Sequence, residues 1–196
     1  MLTYPARPTS GGSPRLRRFV PGDWIAQPKF NGWRALVHLG GGVSFPTVWN
    51  RHGDLLTIKD QFLAALTDLQ GRFPLDTYLD CEALERRGSI HGTLVVFDWI
   101  FPDEPLLPLE ERLRRLRGVM PTLPFMQVPP SDSAVLSDEI PNDSIDAACA
   151  AYAEINAHNG ETVFEGIVKK RVDSIYPIQT RSPDQRFPYW MKHRFD

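Results

Sequence analysis

The sequence predicts an α+β domain whose sheets are largely antiparallel and flanked by helices. Three observations carry this. Short segments rich in β-branched and aromatic residues recur along the chain, Asn-Gly and Gly-Gly turn signals separate several of them, and stretches with helical apolar spacing are interspersed among them. The 196 residues amount to one good-sized domain. A chain of this length buries roughly 70% of its unfolded surface and needs no covalent staples.

The elements follow in order. Residues 1–22 form a flexible Pro/Gly-rich arm bearing Arg7, Arg15, Arg17 and Arg18 and no acid. The domain proper occupies 23–196. WIAQPKF (24–30), WRALVHL (33–39) and VSFPTVWN (43–50) read as three short strands, parted by Asn31-Gly32 and Gly40–Gly42. Pro28 and Pro46 fit sheet edges or bulges. KDQFLAALTDLQG (59–71) places Phe62, Leu63, Leu66 and Leu69 at helical spacing, with Gly71 as its end. TYLDCEAL (77–84) alternates as a strand does, and GTLVVFDWI (92–100) is apolar enough for a buried one. PLEERLRRLRG (108–118) is a helix from Pro108 to Gly118. Residues 120–143 read as a Pro-rich loop. SIDAACAAYAEINAHNG (144–160) is a helix closed by Asn159-Gly160. TVFEGIVKKRV (162–172) and YWMKHRF (189–195) are closing strands.

The 22 basic and 24 acidic residues leave a net charge of −2, which excludes a simple polycationic nucleic-acid binder. The sum hides an asymmetry. No Lys or Arg occurs from Gly118 through Val168, whereas Lys169, Lys170, Arg171, Arg181, Arg186, Lys192 and Arg194 crowd the end. Cys81 and Cys149 are too few for a disulfide framework and read as small buried residues of a reduced compartment. No secretory leader or membrane-length apolar run is present, and the cytoplasm is the expected location. His38, His52, His91, His158 and His193 lack metal-ligand spacing and read as surface or turn residues.

The chemistry-bearing segments begin at Lys29-Phe30-Asn31-Gly32-Trp33-Arg34. In an extended segment Gln27 and Lys29 share a face. A partly desolvated lysine beside other cations favours its amine form and becomes a usable nucleophile. A surface lysine beside a hairpin turn would leave the same pattern. The later segments add weight. Asp80 and Glu82 lie inside an apolar strand, where a carboxylate needs a cation or metal. Phe97 lies in a buried strand, Glu165 and Lys170 flank a glycine, and Lys192 and Arg194 share one strand face. Cations for phosphate, carboxylates for Mg²⁺ and an aromatic for a base are what an anionic nucleotide requires.

As an ordered set, KFNGWR, NRHG, LDCEAL, VVFD, FEGIVKK and WMKHR resembles the covalent nucleotidyltransferase superfamily of ATP-dependent DNA ligases, RNA ligases and mRNA capping enzymes. It is most similar to the adenylation domain of ATP-dependent DNA ligases, over Trp24 to Arg194. The resemblance implies an ATP-grasp-like fold, ATP and Mg²⁺ or Mn²⁺ as cofactors, and nicked DNA with a 5′-phosphate end as partner. It implies that Lys29 attacks the α-phosphorus of ATP and becomes lysyl-AMP. Arg34 and Arg51 would contact ribose or phosphate. Glu82 would bind the ribose or a metal, Glu165 the metal, and Phe97 would stack on adenine. Lys170 and Lys192 would hold the α-phosphate, with Gly32 and Arg194 also in the nucleotide site. Gln27 stands where many members place a Glu that bonds the adenine amino group, and a Gln carbonyl can accept that bond.

Four features depart from the family pattern. Asn31 replaces the Asp of K-x-D-G, Cys81 replaces a Gly, and Arg194 replaces a Lys and is not its equivalent. The chain also stops after WMKHRFD, where members continue into an OB-fold domain. The absent OB-fold function would then fall to a partner. An RNA ligase, or a ligase-like subunit that binds DNA ends or nucleotide in a repair complex, are the competing expectations.

Overall fold

The chain crosses between two sheets at Asn31-Gly32, and this crossing organises the molecule. The structure is a computed structural model that describes residues 5–11, 23–40, 45–178 and 187–195. The smaller sheet has the order β1-β10-β9-β2, with β1 Pro8–Ser10, β2 Trp24–Phe30, β9 Phe164–Arg171 and β10 Phe187–Arg194. The larger has the order β4-β3-β5-β6-β8-β7. Its strands are β3 Trp33–Leu39, β4 Thr47–Trp49, β5 Thr77–Arg87, β6 Ile90–Ile100, β7 Thr122–Leu123 and β8 Ala134–Ser137. Asn31-Gly32 is therefore no hairpin turn: β2 and β3 belong to different sheets.

Most neighbours are antiparallel, but β1–β10, β6–β8 and β7–β8 are parallel. The segment read as a loop at 120–143 thus holds two strands. They are short, and β7 is a single pair of residues, so no periodicity announces them. Within the arm, residues 5–11 are built into the fold: β1 pairs with β10, and Ala6 is fully buried. The rest of the arm lies outside the described residues. Pro28 sits on β2, an edge strand of its sheet, and Pro46 just precedes edge strand β4, where a missing N–H costs least.

Among the described residues, three helices cover the sheets. After a 3₁₀ turn at Asp60–Phe62, α1 runs Leu63–Arg72, one residue past Gly71. Helix α2 spans Leu109–Arg117 between Pro108 and Gly118. Together they bury Phe62, Leu66, Leu69, Leu113 and Leu116 against Leu94 and Val96 of the larger sheet. Helix α3, Ile145–Asn159, ends on Gly160 at φ 65°, a left-handed cap that glycine adopts without strain. Its Ala148, Cys149 and Tyr152 join Ala26, Phe30, Val95, Val135 and Ile167 in the core that binds the sheets together.

One buried ion pair ties α2 to β6. Arg112 donates to Asp98 at 2.7 and 2.9 Å and spends a further nitrogen on the carbonyls of Leu107 and Ser174. Both side chains are essentially unexposed. Removing one partner leaves a buried charge uncompensated, so Arg112→Leu is expected to cost about 3–5 kcal/mol in urea unfolding. A cost below about 1 kcal/mol would show that the pair is dispensable.

Candidate active site

The crossing brings the ends of both sheets together around Lys29. Lys29 lies near the end of β2 opposite Gly166 of β9. Arg34, near the start of β3, pairs across with Glu82 of β5. A cleft of about 670 Å³ opens here, lined by Lys29, Gly32 and Arg34 around the crossing, by Glu82 of β5, and by Glu165, Lys192 and Arg194 from β9 and β10. Arg51 reaches its rim from the exposed turn at 50–53, where its Nε donates to His52 at 2.9 Å. A smaller cavity of about 70 Å³ lies deeper. Gln27, Phe97, Lys170 and Trp190 line it, and Pro8, Lys29, Arg34 and Glu82 are shared with the cleft.

Local packing forces several of these positions. A side chain on Gly32 would come within 2.4 Å of the Ala83 carbonyl, and the Gly32 N–H donates to Glu82 at 3.0 Å. Gly166 has φ 145°, and its Cα faces the His193 carbonyl too closely for any Cβ. That tight pairing holds Glu165 beside Arg194. His193 itself is fully buried rather than a surface histidine, because near the end of β10 it points inward against Gly11.

Glu165 is the electrostatic hub of the cleft. Its Oε2 accepts from Lys29 Nζ at 2.5 Å and from Arg194 Nε at 3.0 Å. Burial alone would raise its pKa, but Lys29 and Arg194 outweigh burial and hold the carboxyl below its ordinary range. Glu82 shows the opposite balance. Burial raises its pKa more than the charges of Lys29 and Arg34 and the Gly32 hydrogen bond lower it.

Arg34 is tethered before any ligand arrives. It grips the fully buried Asp80 through Nε and Nη2, both at 2.5 Å, and Nη2 also donates to the Ala6 carbonyl at 2.9 Å. Burial opposes its charge and Asp80 more than restores it. Tyr176 donates to Asp80 at 2.6 Å and accepts from the Ala6 N–H, closing the network. Arg34 Nη1 is left for the cavities. Asp80 needed a cation, and Arg34 supplies it; no sequence signal marked Tyr176.

The two lysines expected on one phosphate are divided between the cavities. Lys192 faces the cleft, whereas Lys170 is buried in the inner cavity. Its Nζ lies 4.7 Å from the Phe97 ring centre and 4.2 Å from that of Trp190, and donates to the Phe97 carbonyl at 3.2 Å. Burial drives its pKa down to about 7, although Asp98 and Asp80 pull the other way. The Arg34 guanidinium also sits 4.6 Å from the Phe97 ring centre, so Phe97 carries two cations where a base was expected. Trp190, unremarked in the sequence beyond its motif, forms the far wall.

Asn31 also has a local reason. Its Nδ2 donates to the Thr162 carbonyl at 3.0 Å, a bond that an ionised Asp could not make. Cys81 is a fully buried core residue. Among the described residues no group of three or more His, Cys, Asp or Glu side chains could hold a metal ion. Glu82 and Glu165 both line the cleft, and Mg²⁺ is commonly bound by one or two carboxylates together with substrate phosphates and water.

Comparison with solved structures finds ligase domains. The chain is similar to the ligase domain of LigD from M. tuberculosis, at 21% identity and TM-score 0.63, covering 98% of this chain and 59% of that one. A mycobacterial DNA ligase D complexed with ATP and MES matches with the same identity and TM-score, over 98% and 60%. Chlorella virus DNA ligase-adenylate matches at 14% identity and TM-score 0.50, over 99% and 69%. The fold is thus that of the nucleotidyltransferase, or adenylation, domain of ATP-dependent DNA ligases. This chain spans about 60% of the length of the first two. No protein-family model and no curated relative matches it. No helix among the described residues is long and apolar enough to cross a membrane.

The lowered pKa of Lys170 sets a pH dependence. Between about pH 7 and its ordinary value of 10.5, the unfolded chain binds more protons than the folded one, so stability rises with pH. Relative to Lys170→Met, the wild type is expected to gain up to about 1.4 kcal/mol per pH unit across that window in urea unfolding. Parallel pH profiles would mean that the Lys170 ammonium is not desolvated.

Proposed function

We propose that the domain is an ATP-dependent adenylyltransferase of the DNA-ligase type. The observation that carries this reading is the position of Lys29 on the wall shared by two unlike cavities. The outer cleft offers Arg51, Lys192 and Arg194 to phosphates. The inner cavity offers the Phe97 ring and the side-chain carbonyl of Gln27, buried and without a partner. A nucleotide laid across the wall presents its α-phosphorus to Lys29, with the base inside and the polyphosphate outside.

In the proposed first step the Lys29 amine attacks the α-phosphorus, a P–N bond forms, and the bond to the β-phosphate oxygen breaks to release pyrophosphate. The amine must shed a proton, and Glu165 Oε2 is the acceptor already in contact. Lys192, Arg194 and the remaining nitrogen of Arg34 steady the phosphate charge. The base reaches Phe97 from the cleft side by displacing the Lys170 ammonium, which is tethered by one hydrogen bond where Arg34 has three. A divalent cation bound at Glu82 and Glu165 would neutralise phosphate charge and ease departure of pyrophosphate.

The structural neighbours named as DNA ligases supply the direction of the later steps. AMP passes from Lys29 to a 5′-phosphate on nicked DNA, and a 3′-hydroxyl displaces it to join the strand. Incubation with α-labelled ATP and Mg²⁺ or Mn²⁺ tests the first step. Wild type is expected to take up label, Lys29→Ala none, and Glu165→Gln at a rate reduced about 10²-fold or more. Equal labelling of Lys29→Ala would sink the reading. Nicked DNA against nicked RNA as acceptor then decides between DNA and RNA ligase.

A further inference from the structure

We infer that Ser137 determines base specificity: its hydroxyl and the side-chain carbonyl of Gln27 form a two-point reader of the adenine edge. This rests on the nucleotide-binding reading above and deepens it. Gln27 and Ser137 are 1% and 3% exposed. Gln27 Nε2 donates to the Ser137 backbone carbonyl at 3.0 Å, which fixes the amide and leaves Oε1 as its acceptor. Among the described residues neither Gln27 Oε1 nor Ser137 Oγ has a hydrogen-bond partner. Buried polar atoms are seldom left so, and two on adjacent residues call for a ligand.

Their placement supports a base in particular. On β8, Val135 faces the core between the sheets, and Ser137, two residues on, shares its face. One step beyond the Val96–Leu136 pair, the parallel register sets Ser137 alongside Phe97. Phe97 and Gln27 both line the inner cavity. Ser137 lies just behind this lining, bonded to Gln27, so a ring against Phe97 would meet the pair with the edge it turns toward Gln27.

The pair's chemistry selects adenine. Oε1 can only accept, because its amide nitrogen is committed to Ser137. The hydroxyl can then donate. Adenine offers the matching order, a 6-amino donor beside a ring-nitrogen acceptor. Guanine sets its O6 acceptor against Oε1. Two lone-pair atoms would then meet in a buried site, and discrimination follows from the unpaired groups.

Equilibrium binding by calorimetry tests this, with the full chain carrying Lys29→Ala as the non-reacting parent. The ligands are ATP, GTP, purine riboside triphosphate, 1-deaza-ATP and 7-deaza-ATP. The parent is expected to bind ATP at least tenfold more tightly than GTP, purine riboside triphosphate and one of the two deaza analogues. Adding Ser137→Ala should weaken ATP about tenfold and abolish the difference between ATP and that deaza analogue. Ser137→Thr should keep both. The inference is overturned if Ser137→Ala binds ATP like the parent, or if both deaza analogues bind the parent as ATP does. The second criterion needs no Ser137 variant, so it decides even where Ser137→Ala fails to fold. Wild type that labels at Lys29, alongside indifferent Ser137 variants, defeats this inference alone. A wild type that neither labels nor binds any adenine nucleotide defeats the underlying reading with it.

Discussion

The buried carboxylate of Asp80 is the constraint on which the site depends. It has no exposure, and a buried carboxylate without a fixed counter-charge is costly. Arg34 meets it with two parallel hydrogen bonds, the geometry that suits guanidinium and carboxylate best. Tyr176 supplies a third bond, and the same network seizes both the N–H and the carbonyl of Ala6. One charge in the larger sheet therefore draws in the N-terminal segment, the turn at 176 and the first strand after the crossing. The inner cavity takes its shape from that gathering, because Arg34 and Pro8 form part of its wall.

A second constraint is steric. The chain passes between sheets where Gly32 lies against β5 with no space for a side chain. Lys29 and Arg34 stand on either side of this passage, one on each sheet, and so face a common space. The six-residue motif is thus the consequence of a crossing and its two flanking charges. Glu82 and Glu165 sit on opposite walls of that space, and burial and neighbouring cations push their proton affinities apart.

What the sequence shows follows the reach of its signals. Long elements with strong periodicity, such as α2, α3, β5 and β6, are legible because side-chain spacing alone defines them. The buried partner of Asp80 was deducible in kind, since a carboxylate in an apolar strand needs a cation. Strands β7, β8 and β1 were not legible: they are two to four residues long and exist through pairing with distant segments. The crossing at Asn31-Gly32 reads as a hairpin because turn chemistry reports a change of direction and not the sheet that receives the next strand. The separation of Lys170 from Lys192 was equally hidden. Adjacent motifs say nothing of which side of a wall each cation occupies.

The pairing of β1 with β10 joins residues some 180 positions apart, as the bond from Thr9 to the Trp190 carbonyl shows. The smaller sheet therefore closes only when β10 has left the ribosome. Until then Glu165 lacks Arg194, the cleft lacks one wall, and Lys29 stands in an unfinished site. A nascent chain carries the nucleophile long before it carries the cations that β10 brings to the same cleft.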